Sequence, residues 1–309
     1  MNEQKETRAL LLGTGADPWV IHHEGQFILC HSHHNGVAIR RAATLAGLGT
    51  AMIEPLWEAP ESGPFSREIW APELHLYQGR WYIYVAADDG ENKNHRMIAL
   101  HAASLLGPYV SVGKLALTPD RWAIDGTLLV HPKTKRLYYL WSGWEGTENT
   151  AQHLYICPMA DPLTPSGERV RISSPELVWE KRGSGGPGKL PTINEGPQVL
   201  ERNGTIHVIY SAAGSWCDDY CLGRLTLPPG GDPLSLSAWK KHPEPVFAKT
   251  ASVFGPGHCS FVREGKKNKQ DWIVYHSARH AGSGWDRVIR AQTFHWEGNI
   301  PVFGAPRVS

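Results

Sequence analysis

The stretch NEGPQVLERNGTIHVIYSA, residues 194–212, sets a lone carboxylate, Glu195, where a glycine-rich segment runs into two apolar segments joined by Asn203-Gly204. An Asn-Gly pair between two such runs is a strong local signal for a β-hairpin, because both residues accept positive φ. The segment before it, RGSGGPGKL (182–190), holds too much glycine to form a helix or a strand. It reads as a long loop that rims or gates whatever Glu195 faces.

The same order recurs four times. GADPWVIHHEGQFILCHS (15–32) carries Asp17, a first apolar strand, a turn at Gly25 and a second strand. APELHLYQGRWYIYVAA (71–87) repeats it with Glu73 and Gly79, and AIDGTLLVHPKTKRLYYLWSG (123–143) with Asp125. GPGHCSFVREGKKNKQDWIVYHSA (255–278) places His258 where the others have a carboxylate. The leading residues Asp17, Glu73, Asp125, Glu195 and His258 are 56, 52, 70 and 63 residues apart. A third apolar segment follows each second strand, as in HRMIALHAAS (95–104) and DDYCLGRLTL (218–227), and SPELVWE (174–180) and PEPVF (243–247) are candidates for a fourth.

Strand modules of this length, five times over, predict an all-β, five-bladed β-propeller occupying residues 1–309 as one domain. With 13 Trp, 32 Gly and 23 Pro, the composition favours short strands and tight turns over long helices. A net charge of +1 gives no long-range field to draw nucleic acid or a membrane surface, and no apolar run is long enough to span a bilayer. The N-terminus lacks the basic start and long apolar core of a secretion signal, and five cysteines without metal-ligand spacing read as free thiols. The expectation is a cytoplasmic protein.

In a propeller the five leading residues converge on one mouth of the central channel. Carboxylates crowded in a partly dry ring repel one another, so some are protonated while others stay ionised. Hydrolysis of a glycosidic bond needs that combination of an acid beside a base, and it points to Asp17, Asp125 and Glu195. Trp19, Trp70, Trp122, Trp141, Trp144 and Trp216 lie near these positions. Most are expected between blades, while Trp70 and Trp144 are candidates to stack on a sugar. His33 and His34 of HSHHNG read as a loop at the pocket edge.

GADPWV, IWAPELH, AIDGTLL, INEGPQVL and GPGHCSFV, in this order, resemble glycoside hydrolase family 43 from about Gly13 to IPVFGAP (300–306). The tail DRVIRAQTFHWEGNIPVFGAP (286–306) is most similar to exo-acting α-L-arabinofuranosidases of that family. The resemblance implies inverting hydrolysis that releases terminal α-L-arabinofuranosyl residues from arabinan- or arabinoxylan-derived oligosaccharides. It makes Asp17 the general base, Glu195 the general acid and Asp125 the residue that orients that acid and raises its pKa. Arg290 would contact sugar hydroxyls, and His258 would sit beside a calcium or sodium ion that the chemistry itself does not require. Glu73 fits an anchoring role better than a substrate contact. A β-xylosidase on the same scaffold and a non-catalytic carbohydrate-binding propeller are the alternatives.

Overall fold

The computed structural model describes residues 8–183, 191–265 and 269–308. Its strands form five four- or five-stranded antiparallel sheets, and the described residues contain short 3-10 turns but no α-helix. Strand β1 (Ala9–Thr14) precedes blade one, which comprises β2 (Trp19–His23), β3 (Gln26–His33), β4 (Gly36–Ala42) and β5 (Ile53–Glu58). Blade two holds β6 (Arg67–Tyr77), β7 (Arg80–Asp88), β8 (Arg96–Ala102) and β9 (Val110–Lys114). Blade three holds β10 (Ala123–Val130), β11 (Leu137–Gly143), β12 (His153–Asp161), β13 (Thr164–Pro165) and β14 (Val170–Ser173). Blade four consists of β15 (Asn194–Arg202), β16 (Thr205–Ala212), β17 (Cys221–Leu227) and β18 (Lys240–Lys241). Blade five is built from β19 (Phe254–Glu264), β20 (Gln270–Ala278), β21 (Arg287–Glu297) and β22 (Ile300–Val302). The chain is a five-bladed β-propeller.

Three of the five inner hairpins turn on two residues, Glu24-Gly25, Gln78-Gly79 and Asn203-Gly204, all six at positive φ. That is the type I′ geometry whose twist matches the flanking strands. The fourth strands differ from the sequence reading. SPELVWE forms a 3-10 turn over Val178–Lys181, and PEPVF contributes only the isolated bridge between Leu222 and Phe247. Short edges of this kind leave little unpaired backbone for another chain to join.

There are five apolar clusters for five gaps between blades. The gap between blades one and two takes Ile28, Cys30, Ile39, Trp81, Ile83 and Val85, and the next takes Tyr82, Tyr84, Tyr139, Trp141 and Tyr155. Strand β7 thus sends alternate side chains into opposite gaps, which is why it reads as one apolar run rather than an alternating one. Trp141, Trp179, Trp239 and Trp272 are also gap fillers, as expected for most of the tryptophans.

The ring closes where β1 joins β21 antiparallel, with Ala9 opposite Gln292 and Leu11 opposite Arg290, so the outer strand of blade five comes from the N-terminal segment. Leu12 is fully buried in the gap between blades five and one. Leu12→Ala should therefore destabilise the protein by about 2–5 kcal/mol in denaturant titrations. A loss within experimental error would mean that closure does not depend on this contact.

Candidate active site

Each blade brings a left-handed backbone residue to the same mouth at the head of its inner strand, Asp17 (φ 48°), Ala71 (46°), Asp125 (55°), Gly196 (54°) and His258 (44°), and β6 and β19 carry a second, Glu68 (49°) and Gly255 (54°). In β6, β10, β15 and β19 the strand pairing shifts at this residue, forming a bulge. Such conformations cost a non-glycine residue of order 1–3 kcal/mol and persist where surrounding structure imposes them. The left-handed backbone corrects the repeat register. In blade two the aligned position is Ala71, and Glu73 lies two residues further along the strand. There Glu73 is buried, accepts a hydrogen bond from Gln198 Nε2 of blade four, and lies 2.8 Å from His75 Nε2. It ties two inner strands together across the axis, the anchoring role expected for it.

Asp17, Asp125, Glu195 and His258 line one cavity of about 710 Å³. His258 Nδ1 is 3.2 Å from Asp17 Oδ1 and 4.0 Å from Asp125 Oδ2. Arg287 Nη1 approaches Asp17 Oδ1 to 3.8 Å. The Asp17 N–H donates to His276 Nδ1 at 3.1 Å, which fixes the left-handed turn that presents its carboxylate. Across the ring, the Gly196 N–H donates to Asp125 Oδ2 at 3.0 Å, so Asp125 holds the residue next to Glu195. Glycine suits this position, where φ is 54° and a Cβ would crowd His258 Nδ1 at 3.2 Å and Ser211 Oγ at 3.3 Å. The Tyr220 hydroxyl donates to Glu195 Oε1 at 2.7 Å. Tyr220 in turn packs against Gly257, where any Cβ would stand 2.2 Å from the ring.

The strand that carries Glu195 is pinned from behind. Asn194 donates to the buried Glu180 carboxylate at 3.1 Å and accepts from Ser173 at 2.7 Å, while its carbonyl accepts from Ser142 at 2.9 Å. Glu180 also receives hydrogen bonds from Tyr210 and Lys241, each at 2.8 Å.

These surroundings drive the carboxyl groups in opposite directions. Burial acts to raise Asp17, but the cationic His258 foremost, together with Arg287, outweighs it and holds the group below the usual carboxylate range. Burial pushes Asp125 up to about 8, against the pull of His258, with Glu195 and Asp17 adding repulsion. Glu195 is also raised, by burial above all, with Tyr220 opposing. Burial alone would lower His258; the negative charges of Asp17, Asp125 and Glu195 reverse that and raise it. His276 is pushed down to about 3, mainly by burial, and stays neutral. The cavity thus sets an ionised Asp17 beside His258, whose imidazolium form is favoured, and faces them with Asp125, which retains its proton at neutral pH, and with Glu195, whose protonated form is favoured.

One wall is aromatic. Trp70 lines the cavity and stacks on the buried His95 at 3.9 Å, and His95 Nδ1 lies 2.9 Å from Asp88 Oδ2. Trp122 lies beside it, stacked on Trp144 at 4.8 Å. Trp144 does not line the cavity; it stands behind Trp122 and supports the wall. Arg290 is likewise buried inside blade five, with Nε donating to Ser277 Oγ at 2.8 Å; Arg287, three residues earlier, is the arginine that reaches the cavity. His33 and His34 sit at the β3–β4 turn, packed on each other at 4.0 Å and outside the cavity lining. The β3–β4 turn spans only residues 34–35, too short to reach the axis as the β16–β17 and β20–β21 loops do.

Among the described residues no group of three or more His, Cys, Asp or Glu side chains could hold a metal ion. Calcium takes six to eight oxygen ligands, and His258 has its Nδ1 turned to Asp17. The glycines of 184–190 lie outside the described residues.

The family model of glycosyl hydrolases family 43 matches residues 7–301. The chain belongs to that family. The extracellular exo-α-(1→5)-L-arabinofuranosidase of Streptomyces avermitilis is 32% identical over 94% of this chain, and this family 43 chain spans 62% of that relative's length. The protein of the same name from Streptomyces chartreusis is 32% identical over 86% of this chain and 80% of its own. The crystal structure of an α-L-arabinofuranosidase from Lactobacillus brevis superposes with a TM-score of 0.86 and 31% identity, covering 96% of both chains.

Tyr220, His276 and Arg287 carry no motif of their own in the sequence; they reach the site only through the ring. Because the Tyr220 hydroxyl stabilises the ionised form of Glu195, removing it should raise the Glu195 pKa. Tyr220→Phe is expected to move the alkaline limb of the kcat/KM profile upward by about one pH unit. A shift to lower pH, or none, would show that this hydroxyl does not tune Glu195.

Proposed function

We propose that this propeller is an inverting exo-α-L-arabinofuranosidase that releases terminal arabinofuranosyl units from arabinan- or arabinoxylan-derived oligosaccharides. The observation that carries the reading is the opposite displacement of Asp17 and Glu195 within one cavity of a family 43 chain. Asp17, ionised beside His258, takes a proton from the water that attacks the anomeric carbon. Glu195, kept protonated by burial, passes its proton to the glycosidic oxygen as the C–O bond breaks. Water enters on one face and the leaving group departs from the other, so the configuration inverts. Asp125 accepts the Gly196 N–H and so holds the backbone beside the acid in place.

The likeness to exo-arabinofuranosidases over most of the chain supports the sugar and the exo mode. An enclosing cavity with Trp70 and Trp122 on one wall suits a terminal ring better than the middle of a polymer. Hydrolysis of p-nitrophenyl α-L-arabinofuranoside and β-D-xylopyranoside by wild type and Glu195→Ala tests it. The arabinofuranoside should be the better substrate, and the variant should lose about 10²–10⁴-fold in kcat at neutral pH. Preference for the xyloside would make the protein a β-xylosidase. Binding of arabino-oligosaccharides without cleavage would make the ring a recognition site.

The chemistry is assembled from side chains alone. Turnover should be unchanged after dialysis against EDTA, and a loss restored by calcium would put an ion into the mechanism.

A further inference from the structure

The wall opposite Trp70 has no part in the proton transfers above. It is built where the β16–β17 loop of blade four meets the β20–β21 loop of blade five, and Ser215, Trp216, Trp285 and Arg287 face the cavity from it. Trp285 is 68% exposed, the only one of the 13 tryptophans in the exposed class. An indole left in water forgoes about 25 cal/mol for every Å² of apolar surface, so it is a ready surface for an apolar face to cover.

Trp285 is held in place. Its ring stands at 79° to that of Trp216, with centroids 6.4 Å apart, forming a corner. Its Nε1–H donates to Ser215 Oγ at 3.3 Å, and the Trp216 Nε1–H donates to the Gly183 carbonyl at 2.9 Å. The two loops are joined twice more, by Arg287 Nη2 donating to the Ser215 carbonyl at 2.7 Å and the Gly282 N–H donating to Asp218 at 2.9 Å. A preformed corner spends little ordering entropy on a ligand.

Position then decides what the ligand is. In an in-line displacement the water lies on the Asp17 side and the leaving oxygen on the Glu195 side. Glu195 opens blade four, so the ring attached to that oxygen must extend past the blade-four edge of the cavity. We infer that Trp216 and Trp285 form the subsite for the leaving sugar, with one indole under the apolar face of a pentosyl ring and the other against its edge. The inference rests on the hydrolytic reading above and adds to it the residues that make an oligosaccharide a better substrate than a bare glycosyl donor.

The test compares α-1,5-arabinotriose, whose leaving group carries a sugar ring, with α-L-arabinofuranosyl fluoride, whose leaving group carries none. For Trp285→Ala the ratio of kcat/KM on the triose to that on the fluoride should fall about tenfold relative to wild type, since one stacked ring face is lost. Trp285→Phe should recover most of the ratio. A ratio cancels any loss of folded protein, so a misfolded fraction cannot imitate the result. An unchanged ratio in Trp285→Ala, with wild type cleaving both substrates, overturns the subsite alone. Failure of the wild type to cleave either substrate overturns the hydrolase reading, and the subsite falls with it.

Discussion

Three carboxylates crowded into one buried ring cannot all ionise. Two unit charges 4 Å apart repel by about 4 kcal/mol even at an effective dielectric constant near 20. The fold relieves this by placing an imidazole, His258, in the fifth blade's slot, 3.2 Å from Asp17 and 4.0 Å from Asp125. The carboxylates favour the cationic form of the imidazole, which in turn keeps Asp17 charged, while burial favours the protonated form of Glu195. Each member of the ring thus sets the protonation of the others, and the division between base and acid belongs to the whole ring.

That electrostatic arrangement depends on backbone placement. A left-handed residue in each blade turns the inner strand toward the axis, and the cost of that conformation in Asp17, Ala71, Asp125 and His258 is offset by the strands paired behind them. Blade four differs in a telling way. Its left-handed residue is Gly196, so the carboxylate stands one position earlier, while the Gly196 N–H is free to reach Asp125. Glycine takes that dihedral without the cost the other four residues bear, and it leaves room for the close approach of His258. Behind this strand, Asn194 and the buried Glu180 leave Glu195 little freedom to drift from its partner Tyr220.

The aromatic side chains divide by the same geometry. Those on strand interiors, such as Trp141 and Trp272, fill the gaps between blades and are fully enclosed. Trp70 and Trp122 stand at the mouth and are stiffened by a second ring behind each, His95 and Trp144. Trp216 and Trp285 form the facing corner, held by hydrogen bonds from their indole N–H groups. A cavity with rigid walls on both sides presents a shaped site without rearrangement.

The order of polar residue, strand, Gly turn and aromatic strand is a local pattern, and it suffices to determine five blades, their hairpins and the convergence of Asp17, Asp125, Glu195 and His258, because period and turn chemistry act over a few residues. The tertiary structure decided what depends on angle and depth. It shifted the slot of blade two from Glu73 to Ala71, because the left-handed backbone that marks the slot falls two residues before the carboxylate there, which residue type alone does not reveal. It placed Trp144 behind Trp122 and Arg290 inside blade five, because neighbours in sequence point to opposite faces of a strand. It brought Tyr220, His276 and Arg287 to the carboxylates, because those contacts join segments 25 to 270 residues apart that meet only when the ring closes.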